Sequence, residues 1–366
     1  MTARLFEVAI PLPVSFGKLS TRKMLLVSVH AGGLVGRGES WVNWPHWAAA
    51  ERVITVSEGV APLVIGADAN DREGIFGRLT AELLPVGRQW GAIGPIWQAI
   101  SAVDVALWDL AGQWHGCSVS RLLSGTPATR VPAYASGIGP TDVISLTERA
   151  LSQGFTAAKV KVGFGLEADR KILHDVRAVA GSSLVLFADA NRAWSLGEGI
   201  EMCRLLADFG VAWCEEPLAD DQPDDLEQLF DATGMPIALG ENCYGTEPAA
   251  RYLASPGIQH FQPDVSKTGG ITMALRLSAL AAAEGKRITP HCYGGACTLL
   301  ASAQLSAAIG NLGWLELDIR DNPFRDNVAV GGFKIVDGYL DVPSGPGLGM
   351  DMDETVLRSF EVEARR

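Results

Sequence analysis

The chain has 366 residues and a mass of 38.8 kDa, a length typical of about two domains. Apolar residues make up 48% and charged residues 20% of the chain, and the formal net charge is −12, which disfavours extended disorder, nucleic-acid binding and attachment to anionic membranes. No apolar run reaches the about 18 residues that a membrane-spanning helix needs, and the six cysteines form no CxxC pair, which favours a reducing cytoplasm over a disulfide framework.

The N-terminal residues are predicted to form strands. Glu7 and Pro11 interrupt the apolar start of the chain, so residues 4–12 are interpreted as a strand rather than a signal peptide. A second β-rich run spans residues 24–31 and turns at two glycines into residues 34–39. This arrangement indicates a hairpin.

Helices are predicted to follow the hairpin. The spaced glycines at 33–38 do not open a helix, so they give little support to a phosphate-binding loop. From about residue 47 to 125 the apolar residues recur at three- and four-residue intervals, as on one face of a helix. Residues 1–128 are therefore predicted to form an α+β domain.

Beyond residue 128, short apolar runs alternate with amphipathic stretches, a pattern that indicates βα units and a parallel sheet covered by helices. Eight such runs predict a closed barrel over residues 129–320. The Pro- and Gly-rich segment 321–366 is too short for another domain and is predicted to return to the N-terminal domain. The eight runs are VPAYAS, AAKVKVG, SLVLFADAN, VAWCEEP, PIALGEN, IQHFQPD, KRITPHC and LGWLELD.

Charged or titratable residues lie near the carboxyl ends of nearly all these runs, at intervals of about one βα unit. The loops at this face of a βα barrel build the active site, so residues distant in sequence meet there. A single Asp or Glu is more simply explained as a salt-bridge partner or helix cap. A whole series in phase with the strands favours one site, composed of Lys159, Lys161, Asp189, Glu215, Glu241, Asp264, His291 and Glu316.

Three successive strands end in carboxylates, which suggests a magnesium site. Asp189, Glu215 and Glu241 offer an all-oxygen anionic set that suits Mg²⁺, whereas zinc prefers His or Cys. Glu216 follows Glu215, and adjacent strand residues point to opposite faces, so one of the two can face the site. Glu215 is chosen.

The lysines and the histidine are predicted to transfer protons. Lys159 and Lys161 project on the same side of a strand, where crowding is expected to lower the pKa of each and allow one to act as a base. A protected strand edge is the alternative. Asp264 is expected to orient His291 as a second acid/base group, and Glu316 is expected to donate a hydrogen bond if protonated among other carboxylates.

A metal that binds a carboxylate, together with two bases on different strands, points to abstraction of a proton α to a carboxylate. This proton is very weakly acidic. Stabilisation of the resulting enediolate by metal and ammonium charge must therefore lower most of the barrier.

The assembled motifs resemble the enolase superfamily, and within it the family of mandelate racemase and muconate lactonizing enzyme, in the mandelate racemase subgroup. The resemblance covers nearly the whole chain. It implies a modified TIM barrel, (β/α)7β, with an α+β capping domain formed by the N-terminal region and the C-terminal tail, in a homo-oligomer that is an octamer or smaller. It rests on AISAVDVALWDLAGQ (99–113), KVKVG, FADANRAW, CEEP, LGEN, QPDVSKTGG, ITPHCYG and WLELD.

The resemblance also implies a role for each strand-end residue. The three carboxylates would bind one Mg²⁺ per active site, Lys161 would be one base, and Lys159 would stabilise the substrate carboxylate. His291 with Asp264 would act on the opposite face, and Glu316 would hydrogen-bond the substrate. In the muconate lactonizing and dipeptide epimerase branches a lysine would occupy the position of Asp264, which argues against those branches.

Substrate selection in such enzymes depends on loops of the capping domain, here around residues 14–23 and 41–47. The basic residues of the first loop suit a second carboxylate or sugar hydroxyls. The tryptophans of the second suit a less polar substrate, although interdomain core is about as good an explanation for them. The residues predicted to bind substrate are Asn191, Lys18, Trp44 and Lys267.

Most members of the subgroup are acid-sugar dehydratases, so the predicted reaction is dehydration of an aldonate or aldarate to a 2-keto-3-deoxy acid. Racemisation or epimerisation of a 2-hydroxy acid is an alternative, and the segment NPFR at 322–325 resembles a sugar-lactone cycloisomerase of the family. A non-catalytic binding protein is a remote alternative, because the metal, lysine and histidine positions are intact.

Overall fold

The computed structural model describes residues 1–10, 12–14 and 17–363, with the backbone alone at 12–14 and 17–19. The side chain of Lys18, predicted to bind substrate, therefore lies outside the described part. The N-terminal strands are β1 (Thr2–Val8), β2 (Leu12–Val14), β3 (Gly17–Leu19), β4 (Arg22–Ala31) and β5 (Leu34–Ser40).

The predicted hairpin is confirmed, because β4 pairs antiparallel with β5 and Ala31 lies opposite Leu34. Strand β1 pairs antiparallel with the other edge of β4, and β2 pairs with β3 as a separate two-stranded ribbon.

The helical region after the hairpin contains α1 (Ala48–Ile54), a π-helical segment (Thr55–Val60), α2 (Ala61–Val64), α3 (Arg72–Trp90), α4 (Ile93–His115) and α5 (Val119–Leu123). Helix α4 packs directly on β5. A Cβ atom at Gly36 or Gly38 would collide with a carbonyl oxygen of α4. The spaced glycines thus serve the close packing of a strand on a helix.

All eight predicted barrel strands are present and parallel, and they alternate with seven long helices. Strands β6 to β12 pair in chain order, and β13 pairs with β6. A parallel bridge from Ile288 to Leu312 links β12 to the segment before β13, which closes the barrel. The elements are β6 (Arg130–Ile138), α6 (Val143–Ser152), β7 (Ala157–Lys161), α7 (Leu166–Ala180), β8 (Val185–Asp189), α8 (Leu196–Asp208), β9 (Val211–Glu215), α9 (Pro223–Thr233), β10 (Ile237–Leu239), α10 (Thr246–Leu253), β11 (Ile258–Phe261), α11 (Gly270–Ala283), β12 (Arg287–Ile288), α12 (Ala296–Ala308) and β13 (Leu315–Asp318).

An aromatic layer fills part of the barrel interior. Tyr134, Phe187 and Trp213 form one buried cluster. The rings of Phe187 and Trp213 stack with centroids 4.4 Å apart. The ammonium group of Lys159 lies over this layer, 5.5 Å from the Tyr134 ring. The layer therefore forms an apolar floor beneath the charged residues at the strand ends.

The C-terminal segment contacts both parts of the chain. It contains α13 (Pro323–Asp326), β14 (Ile335–Val336), β15 (Tyr339–Asp341), α14 (Glu354–Phe360) and β16 (Glu361–Val362). Strand β15 pairs antiparallel with the beginning of β6, whereas β16 pairs antiparallel with β1. The segment thus runs along the barrel before it adds an edge strand to the N-terminal sheet.

Two features of composition have a structural counterpart. Across the described ranges, no helix combines the length and apolarity that crossing a membrane would require. The six cysteines all lie within the described residues and are free, with Cys117 partly exposed and the other five buried.

Candidate active site at the carboxyl end of the barrel

Lys159 and Lys161 extend from β7 into a group of carboxylates. The Nζ atom of Lys159, which is 1% exposed, lies 2.6 Å from Oε2 of Glu215 and 2.8 Å from Oε1 of Glu316. Lys161 donates to the carboxylate of Asp189 and, over 3.0 Å, to Oδ1 of Asn191. Both lysines therefore have their ammonium groups directed at the barrel mouth, as their two-residue spacing predicts.

The predicted lowering of the lysine pKa values is wrong for this arrangement. Burial lowers the pKa of both lysines, but adjacent carboxylates more than offset it: Glu215 and Glu316 for Lys159, and Asp189 for Lys161. The net effect raises both pKa values. The prediction considered the repulsion between the two ammonium groups and omitted the attraction of each to the carboxylates that it contacts.

His291 lies between two carboxylates on the other side of the mouth. Its Nδ1 atom is 2.6 Å from Oδ2 of Asp264, and its Nε2 atom is 2.9 Å from Oε2 of Glu241. Burial lowers the pKa of His291, but Glu241 and then Glu316 raise it, so the pKa lies well above its usual value. Asp264 and His291 thus form the pair that their strand positions predict, with the imidazole held at both nitrogens.

Lys267 belongs to the same side of the site. Its Nζ atom lies 3.0 Å from Oε1 of Glu241 and 5.0 Å from the centroid of the Trp41 ring. The edge of Trp41 also faces His291, with ring centroids 6.0 Å apart. Lys267 therefore contacts a strand-end carboxylate, whereas its predicted contact with substrate stays a prediction.

The choice of Glu215 over Glu216 agrees with the geometry. Glu215 accepts hydrogen bonds from Lys159 and, over 2.6 Å, from Nε2 of Gln262. Glu216 instead pairs with Arg192 over 3.0 Å. The two neighbouring side chains thus have separate surroundings, because β9 ends at Glu215 and Glu216 turns away with a φ of 38°.

The three predicted metal ligands are each bonded to a cationic side chain. Asp189 is bonded to Lys161, Glu215 to Lys159, and Glu241 to both Lys267 and His291. Within the part of the chain that the structure describes, no three acidic, Cys or His side chains are arranged so that they could hold a metal ion. The magnesium site therefore stays a prediction.

Glu316 differs from the expectation of a protonated donor. Burial raises its pKa, but Lys159 and His291 lower it, and the net pKa lies below its usual value. Its carboxylate accepts hydrogen bonds from the hydroxyl of Ser136 over 2.5 Å and the amide of Cys292 over 2.9 Å. Glu316 is therefore ionised and positions groups around it as an acceptor.

The cluster has an excess of negative charge. It combines five carboxylates with the cationic side chains of Lys159, Lys161, Lys267 and His291. One negative charge is thus uncompensated. Burial, and next the Asp189 carboxylate, raise the pKa of Glu215 well above its usual value. A bound proton or metal cation at this position would relieve the excess.

Several residues of the site were not found from the sequence. Gln262 precedes Asp264 by two residues, so the spacing rule that relates Lys159 to Lys161 could have indicated it. Ser136 ends the first of the eight runs, about one βα unit before Lys161, so its position could also have indicated it. Trp41 carries no comparable signal, because it lies outside the barrel strands.

Trp44 and Asn191, both predicted to bind substrate, lie in different settings. Trp44 is partly buried in the loop after β5 and precedes a cis peptide bond to Pro45. Asn191 follows β8, where its backbone amide donates to Oδ1 of Asp189 over 2.9 Å. The structure brings Asn191 into the charged cluster, and the contact of either residue with substrate stays a prediction.

Comparison with known proteins extends the resemblance to both parts of the chain. Residues 1–124 match the model of the mandelate racemase / muconate lactonizing enzyme N-terminal domain, and residues 142–356 match the enolase C-terminal domain-like model. The chain is 30% identical to D-galactarolactone cycloisomerase of Agrobacterium fabrum, over 94% of this chain and 93% of that protein. It is 29% identical to arabinonate dehydratase of Saccharolobus solfataricus, over 91% and 88%.

A solved structure of a racemase from Streptomyces coelicolor A3(2), described with bound magnesium, superposes with a TM-score of 0.88. The identity is 27%, and the match covers 98% of each chain. Two family models together account for most of this sequence, and the fold agrees with them. The chain belongs to the enolase superfamily, in the family of mandelate racemase and muconate lactonizing enzyme.

Proposed function

We propose that the protein dehydrates a sugar acid, an aldonate or aldarate, to a 2-keto-3-deoxy acid by abstracting the proton α to the carboxylate. The observation that carries this proposal is the placement of two proton-transfer groups on different sides of one carboxylate cluster. Lys161 contacts Asp189 at one side, and His291 contacts Glu241 at the other. A substrate held between them would meet a base at its α carbon and an acid at its β oxygen.

Magnesium is the cofactor that the donor set favours. Asp189, Glu215 and Glu241 would hold it, since they are oxygen donors at the ends of adjacent strands within a cluster that has negative charge in excess. Asp189 and Glu215 are buried, and the Glu241 side chain is 15% exposed. When bound, the ion would supply positive charge that stabilises negative charge developing on the substrate carboxylate. The magnesium in the related racemase structure supports this assignment.

The chain's own side chains account for the proton transfers. Lys161 would act as a base in its neutral form, which becomes accessible when Asp189, the carboxylate that raises its pKa, holds the metal instead. Lys161 would then take the α proton, and Lys159, held over the aromatic floor, would hydrogen-bond the substrate carboxylate. His291, oriented by Asp264, would give a proton to the departing β hydroxyl. The α C–H and β C–O bonds break, water leaves, and the resulting enol tautomerises to the 2-keto-3-deoxy acid.

Ring opening is a second candidate. It is favoured because a relative that matches almost the whole chain is a cycloisomerase. The first step would be the same, but the departing β oxygen would belong to a ring of the substrate. Elimination would then open the ring and yield an isomer without loss of water. Racemisation would use Lys161 and His291 as two bases and leave the carbon skeleton unchanged.

A panel of aldonates, aldarates and their lactones, incubated with the protein and Mg²⁺ in D₂O, separates these reactions. We expect a keto acid lighter than its substrate by one water. A keto acid that is an isomer of its substrate would instead establish ring opening. Exchange of the α hydrogen without any keto acid would establish racemisation, and inactivity towards the whole panel would contradict a sugar-acid substrate.

A further inference from the structure

Glu39, at the end of β5, reaches from the N-terminal sheet to the start of a barrel helix. Its carboxylate accepts the amide of Gly295 over 2.7 Å and the amide of Thr298 over 3.0 Å, at the first turn of α12. The Glu39 side chain is buried, with 4% exposed. A carboxylate at this position satisfies amides that have no partner within the helix and complements the helix dipole.

The backbone at the start of α12 permits this close approach. A Cβ atom on Gly294 would lie 2.8 Å from Oε1 of Glu39, and one on Gly295 would lie 2.7 Å from the sulfur of Met24. Both distances are shorter than the contacts that real Cβ atoms make with other atoms. The two glycines therefore admit the Glu39 carboxylate to the amides of the helix.

The helix start held by Glu39 directly follows the loop that carries His291. The loop is also held by the barrel, since the amide of Cys292 donates to Glu316, and by the C-terminal segment, since Nδ2 of Asn322 donates to the carbonyl of Gly294 over 2.9 Å. Glu39 ties this loop to the N-terminal sheet, together with Arg22 of β4, whose guanidinium lies 5.4 Å from the centroid of the Tyr293 ring. Any movement of β5 relative to the barrel would thus be transmitted to the loop beside His291.

Trp41, two residues beyond Glu39, contacts the neighbouring loop as well. Its amide donates to the carbonyl of Ser266 over 3.2 Å, and its ring lies against both His291 and Lys267. Ser266 in turn donates to Asp264, the carboxylate that orients His291. The segment 39–41 therefore contacts both loops that build the Asp264–His291 pair.

We infer that Glu39 is a positioning residue that holds the His291 imidazole against Asp264 by fixing the first turn of α12. The hydrogen bonds of Lys161, by contrast, go to Asp189 and Asn191, in the segment around β8. The expected consequence for turnover rests on the proposed function, but the positional claim concerns the protein alone. Loss of Glu39 should therefore impair the proton transfer of His291 and spare that of Lys161.

The matched control is Asp109, a buried carboxylate of α4. It also accepts two backbone amides, of Arg37 and of Leu348, each over 2.8 Å. One of its bonds secures the C-terminal segment and the other holds β5 against α4, and neither reaches a loop of the site. Asp109→Asn and Glu39→Gln thus weaken comparable bonds to backbone amides. The bonds of Glu39 lie beside the His291 loop, and those of Asp109 do not.

For turnover, we expect Glu39→Ala to lower keto-acid formation about 100-fold, because misplacement by about 1 Å has an effect of that size. Glu39→Gln should lie between Ala and wild type, since the amide retains one acceptor oxygen. In the Glu39 variants, exchange of the α hydrogen through Lys161 should change by less than about threefold. In Asp109→Asn, keto-acid formation and α-hydrogen exchange should both change by less than about threefold. Equal losses of both activities in the Glu39 variants would overturn the inference.

A direct measurement of His291 needs no substrate. In protein with carbon-13-labelled histidine rings, the His291 signal can be assigned by its loss in His291→Asn. We expect this signal to broaden or split in Glu39→Gln and to stay single in Asp109→Asn. An unchanged signal in Glu39→Gln would overturn the inference even if Glu39→Ala fails to fold. Failure of the whole substrate panel would contradict the proposed function and leave this measurement decisive.

Discussion

The two sides of the site are supported in different ways. On the lysine side, Lys159 and Lys161 extend from a barrel strand, and the side chains that they contact come from three other barrel strands and the loop after β8. On the histidine side, the loops before α11 and α12 are bonded to the N-terminal region. The proposed base is thus held by the barrel, while the position of the proposed acid depends on the packing of two domains.

Helix α4 contributes the remaining contacts to the histidine side. The hydroxyl of Ser101 accepts the amide of Gly269 over 2.8 Å, and Oδ2 of Asp104 accepts the amide of Thr272 over 2.9 Å. Both amides lie at the start of α11, just after the loop that carries Asp264 and Lys267. The N-terminal domain therefore supports the loops of the proposed proton donor through contacts separate from those of the lysines.

Replacement of Lys161 by Ala should have the largest effect. Without a base at the α carbon, keto-acid formation and α-hydrogen exchange should both fall by about 10²- to 10⁴-fold. Both are measured by following substrate and product in D₂O. Lys171→Ala is the control, because Lys171 is an exposed lysine that pairs with Asp175 on the outer helix α7. Retention of exchange in Lys161→Ala would place the base elsewhere.

Replacement of His291 by Asn should separate the two activities. We expect keto-acid formation to fall about 10³-fold, because the leaving oxygen loses its proton donor, while α-hydrogen exchange continues through Lys161. His174→Asn, at an exposed histidine of α7, is the matched control. If exchange disappears together with product formation, the two sides do not have the separate roles that their supports suggest.

Most of the fold and of the charged cluster could be predicted from the sequence. The barrel strands are short apolar runs in regular alternation with helices, and residues at their ends must converge once the barrel closes. Glu215 could be chosen over Glu216 because strand alternation is a local property.

The charge states could not be predicted in the same way. The pKa of Lys161 depends on its contact with Asp189, and that of Glu316 on Lys159 and His291, which are distances between strands rather than spacings along one. The contact of Glu39 with α12 could not be predicted for a related reason. It ends a strand of a hairpin, where an acidic residue is ordinarily solvated, and only the packing of two domains brings it to α12.

Asp104 offers a test of the domain contact through stability. Burial raises its pKa from 3.8 to about 7. The folded protein therefore keeps a proton that the unfolded chain releases, and the free energy of unfolding should fall as pH rises between these values. The full shift corresponds to at most about 4 kcal/mol.

Urea unfolding at about pH 5 and about pH 8 should show this loss in wild type and a smaller one in Asp104→Asn, which has no proton to release. Asp71→Ala is the control, because it removes the cap of α3, an exposed carboxylate that accepts the amide of Gly74 over 3.0 Å. It should cost about 1 kcal/mol at both pH values. An identical pH dependence in wild type and Asp104→Asn would assign the effect to another group.

Glu241 links the predicted metal to the histidine side, since its carboxylate contacts both His291 and Lys267. Glu241→Gln should weaken Mg²⁺ binding at least about tenfold, because it removes one anionic ligand. Calorimetric titration with Mg²⁺ measures this without substrate, and Glu247→Gln, at an exposed residue of α10, is the control. Asp189→Asn removes the ligand that contacts Lys161. Comparable weakening by Asp189→Asn and Glu241→Gln would show that one ion bridges the two sides, whereas unchanged affinity in Glu241→Gln would confine the metal to the lysine side.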